Sequence, residues 1–221
     1  TDPIRDGYAL FPDSLIFPQD AEEIHIPDVG MFGRIGEYNF PKLKRLTVGN
    51  VDYLPGWFVA QMPELEEIVF EGMIGHFDCE FLAACPKLKK VVFKGPVSST
   101  GGPLVVARMP ELDSVIFESV VVNLGVRHDS IDECPKLKEL TCRGAFLDVP
   151  KESASKKATI AELKGNPRLI KDMERLARWQ AEVLTARNSG FMRSCEYQSA
   201  RILQPVLEEL KSPEAPKLKA A

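Results

Sequence analysis

The chain of 221 residues has no apolar run close to the ~18–20 residues that a bilayer-spanning helix needs, so no transmembrane helix is expected. It does not open on a basic stretch followed by an apolar core, so no secretory signal peptide is visible. A processed chain would look the same, and this does not place the protein. Cysteines number only five and include no CxxC pair, which leaves neither a disulfide framework nor a zinc-ligand spacing. Charge of neither sign dominates. The net charge of −4 argues against nucleic acid as a partner. Catalytic motifs are lacking too. His25, His76 and His128 stand in separate segments without a Ser or Cys partner in a known arrangement. Gly101-Gly102 and Gly33–Gly36 are too loose for phosphate or dinucleotide loops. The expectation is a protein without enzymatic activity, cofactor or metal.

What the chain does contain is repetition. Pro41-Lys42-Leu43, Pro63-Glu64-Leu65, Pro86-Lys87-Leu88, Pro110-Glu111-Leu112 and Pro135-Lys136-Leu137 start 22, 23, 24 and 25 residues apart. That spacing lies within the ~20–29 residue period of a leucine-rich solenoid, whose units bury their apolar side only by stacking. Each Pro is followed by L-x-x-h-x-h, with h apolar, as in Leu65-Glu66-Glu67-Ile68-Val69-Phe70. A weaker copy starts at Ala21. The alternation and the β-branched and aromatic residues predict one strand per repeat, all parallel. Phe70, Phe93 and Phe117 close three successive phrases and should stack inside as an aromatic spine. Each phrase ends at a turn, such as Gly49-Asn50 or Gly95-Pro96. The chain then returns through a variable arm with one short apolar cluster, such as Trp57–Val59, Phe81–Ala84 or Leu104–Ala107. Cys85 and Cys134 stand before Pro, where other copies have Phe40, Met62 and Met109, and so read as small buried hydrophobes. Two repeats part them, about 10 Å, which is too far for a disulfide.

L-x-x-h-x-h at this period resembles the leucine-rich repeat superfamily over about residues 15–148. Ile26-Pro27, Ile35-Gly36-Glu37 and Phe40, with Phe81 ahead of Cys85, resemble its bacterial surface-antigen (BspA-type) branch. The resemblance implies a right-handed α/β solenoid with its parallel strand ladder on a concave face. It also implies a secreted or cell-surface adhesion or interaction protein. No repeat carries the Asn usual in the longer leucine-rich families.

Alignment of the copies puts equivalent side chains on neighbouring strands, about 4.8 Å apart. One column reads Asp20, Lys42, Glu64, Lys87, Glu111, Lys136. A second reads Glu22, Lys44, Glu66, Lys89, Asp113, Lys138, and a third continues with Glu71, Lys94, Glu118, Arg143. The signs alternate in all three. Opposite charges directly across a ladder favour the register and like charges oppose it. Strict alternation also cancels the field that a polyanion would feel, which again disfavours nucleic acid.

Strand periodicity turns the column His25, Thr47, Val69, Val92, Ile116, Thr141 outward. Val69, Val92 and Ile116 are expected to form an exposed apolar stripe rimmed by Glu67, Lys90, Glu71, Lys94 and Glu118, a candidate contact site. Strand propensity, or cover by another part of the chain, would also account for the stripe.

The repeats give residues 1–20 as an N-terminal cap and 21–150 as a solenoid of about six repeats. Residues 151–221 form a helical C-terminal part. Lys151–Lys157 reads as a linker. Asn166-Pro167 begins a helix through Leu169, Met173, Leu176 and Leu184. Asn188-Ser189-Gly190 ends it, and a second helix runs from Met192 to Leu210 with a potential kink at Pro205. The tail from Ser212 reads as disordered. The hairpin either caps the last repeat, against Leu140 and Phe146, or assembles copies into a homodimer. The functional expectation is a protein-binding module using the concave face, with an architectural role through the helices as the alternative.

Overall fold

The computed structural model describes residues 18–31, 40–54, 62–78, 85–101, 110–124, 136–137, 139–149, 156–185 and 190–212. They form a parallel β-solenoid with helices packed on one side. Each coil contributes two strands, in pairs: β1 (Glu23–Ile26) and β2 (Val29–Met31), β3 (Arg45–Val48) and β4 (Val51–Leu54), β5 (Glu67–Phe70) and β6 (Ile74–Asp78). The series continues with β7 (Lys90–Phe93) and β8 (Val97–Gly101), β9 (Ser114–Phe117) and β10 (Val120–Leu124), β11 (Glu139–Cys142) and β12 (Ala145–Asp148). The odd strands make sheet A, in the order β1-β3-β5-β7-β9-β11, and the even strands make sheet B. All pairings are parallel.

Sheet A is the ladder expected from the repeated phrase, in the same register. Sheet B is an addition: the segment after each turn is a second strand and not the start of an irregular arm. The apolar clusters Trp57–Val59, Phe81–Ala84 and Leu104–Ala107 lie outside the described residues, as do Cys134, Lys138 and the chain up to residue 17.

Apolar residues from both sheets fill the interior between them. Leu43, Leu65, Leu88 and Leu112, which open the phrases, are wholly buried. Phe70, Phe93 and Phe117 stack as the phrase pattern requires, with ring centroids 5.0 and 4.6 Å apart and planes within 13° and 9°. From sheet B, Phe77 meets Phe70 and Phe93 edge-on, and Phe146 meets Phe117 likewise. Cys85 lies buried in this core, where burial pushes its thiol up to about 12. At the corner between the sheets, a Cβ on Gly95 would overlap the Gly72 carbonyl of the coil before it, so glycine is what lets these coils stack. The same corner carries a short polar ladder. The Asp28 carboxylate accepts from the Asn50 N–H at 2.8 Å, and the Asn50 side-chain oxygen accepts from the Met73 N–H at 2.8 Å.

The helices follow the expected signals and add one more. Thr159 and Glu162 form a reciprocal capping box on α1 (Ile160–Lys164), a short helix between the Lys151–Lys157 linker and Asn166 that the sequence reading does not anticipate. Asn166 accepts from the Leu169 N–H, and Pro167 opens α2 (Pro167–Thr185). α3 runs over Gly190–Lys211 with Pro205 inside it. The tail beyond Ser212 lies outside the described residues. α3 packs on β6, β8, β10 and β12, and α2 on β10. The hairpin thus lies across the outer face of sheet B, over several coils, while Lys157, ahead of α1, bridges Phe146 of the last coil. Leu169, Met173, Leu176, Leu203 and Leu207 bury against Met73, Val120, Val122 and Leu147. Phe146 points the other way, into the solenoid interior.

Candidate protein-binding face

On sheet A the inward residues are wholly apolar, and the outward ones divide into a charged column and an uncharged one. Register places Glu67 beside Lys90, and Val69 beside Val92, which in turn neighbours Ile116. The stripe and its rim therefore come together as the pattern predicts. Exposure differs from the expectation at the centre. Val92 is only 6% exposed, while Val69 and Ile116 are half-buried. Val92 has a branched apolar neighbour on each side at about 4.8 Å, which leaves water little access. Val69 and Ile116 each have a smaller threonine on one side, Thr47 and Thr141. The stripe is two shoulders about a closed centre.

Ion pairs run along every charged column. Lys44 reaches Glu22 and Lys89 reaches Glu66, both at 2.9 Å, and Lys87 and Lys136 each reach their acids, Glu64 and Glu111, at 2.6 Å. Lys94 lies 3.1 Å from Glu71 and Arg143 3.4 Å from Glu118. A fourth column, on the face itself, went unread as a series in the sequence: Glu23, Arg45, Glu67, Lys90. Glu67 is its centre, held by Arg45 at 2.8 Å and by Lys90 at 2.9 Å. The Lys90 hydrogen bond and the Arg45 guanidinium hold the Glu67 carboxyl below the usual carboxylate range, against a smaller contrary push from burial. Most of these pairs are well exposed, so they align coils more than they stabilise them.

Sequence reasoning missed a second polar assembly, between sheet B and the hairpin. Ser98, Gln180, Glu196 and Ser199 are buried together. The Ser98 hydroxyl donates to Glu196 Oε2 and accepts from Gln180 Nε2 at 2.8 Å, while the Ser199 hydroxyl donates to the Ser98 carbonyl at 2.9 Å. Nearby, Trp179 Nε1 donates to Asp52 at 2.6 Å, and Arg175 to the Asn50 side chain at 2.7 Å. Burial pushes the Glu196 carboxyl up to about 8 and Asp52 up to about 6. In the sequence these acids sit on unrelated segments, and only docking of α3 brings them together.

His76 is also placed differently from a surface histidine. It lies buried on β6 with Nδ1 2.7 Å from the Ser99 hydroxyl and its ring stacked on Tyr53. His25 is exposed on β1, and His128 lies outside the described residues. Among the described residues no cluster of His, Cys, Asp or Glu has the makings of a metal site, and no helix is long and apolar enough to cross a membrane. Lys157 forms a parallel bridge with Phe146 of the last coil, the Ala158 N–H donates to the Phe146 carbonyl at 2.7 Å, and a cleft of about 480 Å³ beside them is lined by Cys142, Gly144 and Lys156. Lys156 there is already tied to Glu162 at 2.8 Å. No protein-family model matches this chain, and no curated relative matches it either.

Proposed function

We propose that this protein is a non-catalytic interaction module of leucine-rich repeat type, with sheet A on the concave side of the superhelix and a protein partner bound across it. The resemblance to the bacterial surface-antigen branch makes the cell surface or the extracellular space its place of work, with adhesion the fitting role. One observation carries the reading. The hairpin covers the outer face of sheet B, whereas no described element packs on the outer face of sheet A. That leaves Val69 and Ile116, between the Glu67–Lys90 and Glu71–Lys94 pairs, as a mixed apolar and charged surface of the kind interfaces use. The alternative, assembly through the hairpin, has less to draw on, because the apolar faces of both helices are already buried against sheet B.

The test is photo-crosslinking in the native setting from a probe at Thr47, beside Val69, with a Val69→Glu/Ile116→Glu chain as control. The double variant should keep its far-ultraviolet circular dichroism and lose the crosslinked partner. Retention of the same crosslink by the variant would show that the face is not the site.

A further inference from the structure

The charge pattern on sheet A restricts what can lie on it. From β1 to β7 each acid is flanked by bases one strand away and the reverse, with Ser114 interrupting the face column on β9, so a uniformly charged partner gains about as much as it loses. A partner fits when it carries the same alternation displaced by one strand. The chain itself carries that pattern.

We infer that the partner on this face is a second copy of the chain, packed sheet A to sheet A about a two-fold axis running parallel to the strands between β5 and β7. This rests on the reading of sheet A as the contact face. The symmetry follows from the register. A two-fold axis along the strands keeps each residue's height on its strand and exchanges β5 with β7. Glu67 then faces Lys90 of the second copy, Glu71 faces its Lys94, and Val69 faces its Val92, because those residues are register partners or lie just beyond them. The next strands out, β3 and β9, bring Arg45 opposite Ser114 and Thr47 opposite Ile116, with no like charges, whereas the outermost pair, β1 and β11, sets Glu23 opposite Glu139, so complementarity is confined to the four central strands. The other in-plane axis, along the solenoid, would set each strand on its own counterpart and put acids on acids and bases on bases. The alternation selects one of the two arrangements, and an isologous contact needs such self-complementarity.

Magnitudes make this a weak dimer. Six strands about 4.8 Å apart and four residues of about 3.3 Å each give a strand face of about 24 by 13 Å per copy, the most that the contact can cover. At roughly 300 Å² per copy that lies below the size of a stable specific interface and allows only a transient contact, and Val92 has little surface left to bury. The intermolecular pairs also share partners already engaged within each copy, Glu67 above all. A dissociation constant of about 10⁻⁴ M is the scale to look for.

Sedimentation equilibrium of the full chain up to millimolar concentration tests the arrangement with three charge variants. Lys90→Glu/Lys94→Glu makes the central face acidic, and Glu67→Lys/Glu71→Lys makes it basic. Each alone should dimerise at least tenfold more weakly. Mixed, the two should associate with each other, since an acidic β5–β7 then faces a basic one. The fourfold variant, with all four signs exchanged, restores opposite charges between β5 and β7 while placing like charges beside Arg45 and Glu118 within the chain, and should recover dimerisation relative to either double variant. Circular dichroism confirms that each variant is folded. A parent chain that stays monomeric, or a mixture that fails to associate, overturns the inference. If the parent is monomeric yet loses its crosslinked partner on Val69→Glu/Ile116→Glu substitution, only the identity of the partner falls. If that crosslink survives as well, the contact face falls with it.

Discussion

Glu196 Oε2 accepts a hydrogen bond from the Ser98 hydroxyl, joining α3 to β8 in a place where neither side chain meets solvent. Its other oxygen, Oε1, is buried without a hydrogen-bond partner among the described residues, as is Gln180 Oε1. Asp52 is the charged group that bears on it, and among the described residues no cation offsets the burial. A carboxylic acid in such a setting holds its proton, and that proton is part of what keeps the hairpin on sheet B.

A pH dependence follows. Burial raises the folded Glu196 carboxyl from 4.5 to about 8, so the folded state binds more protons than the unfolded one between those values. Stability is therefore fully present below pH 4.5 and is lost as pH rises toward 8. Asp52 adds to the loss between 3.8 and about 6. The slope approaches about 1.4 kcal/mol per pH unit for one fully shifted group. Urea unfolding followed by tryptophan fluorescence from pH 5 to 8 should show a falling midpoint. Glu196→Gln should flatten that fall, and an unchanged profile in this variant would assign the dependence elsewhere.

The indole of Trp179 lies against Gly75, where a Cβ would overlap the ring. Gly75→Ala forces Trp179 off the strand, strains its hydrogen bond to Asp52, and also presses on the Asp52 carbonyl of the neighbouring β4. A cost of about 1–3 kcal/mol is expected from overpacking. Amide hydrogen exchange should show the loss concentrated in α2 and α3, with sheet A still protected.

Phe93 is stacked between Phe70 and Phe117 and is 2% exposed. Phe93→Ala removes the middle of the spine and should cost about 3–5 kcal/mol. The urea midpoint reads this directly. Sheet A and sheet B should unfold together, because Phe77 of sheet B packs on the same ring.

Glu67 holds two cations, whereas Glu66, one residue earlier, holds Lys89 alone at the surface. Glu67→Gln should therefore destabilise more than Glu66→Gln in parallel denaturation curves. The Glu67 carboxyl is lowered in the folded state, so its contribution is present above its ordinary value of 4.5 and is lost as pH falls below it. Equal effects from the two substitutions would mean that the second cation adds nothing.

Cys85 should resist a thiol reagent until the chain unfolds, since burial keeps its thiol protonated. Mass spectrometry after a brief alkylation in native buffer should find it unmodified, and in urea modified. Labelling under native conditions would show that the coil interior opens.

Much of sheet A was legible because its information is periodic. Ile68, Val91 and Val115 recur on the same phrase position as Leu46, and their burial repeats with them. Sheet B was not legible for the opposite reason. The hairpin covers its outer side, so β10 reads Val120-Val121-Val122 with no alternation, as strands buried on both faces do. Elsewhere its strands carry Gly75, Ser98 and Asp52 where helix side chains dock. These look like loop residues until the helix is in place. The buried Val92 shows the same limit on sheet A, since facing outward is a property of the strand and exposure depends on the neighbours.

By itself the sequence determined a parallel solenoid, its register, the aromatic spine and the alternating ion pairs, because contacts between stacked copies recur at a fixed period along the chain. Tertiary structure alone decided which sheet face is covered. It also decided that the hairpin lies over several coils, the last among them, and that Ser98, Gln180 and Glu196 meet. Those contacts join residues about a hundred positions apart, and no local pattern encodes them.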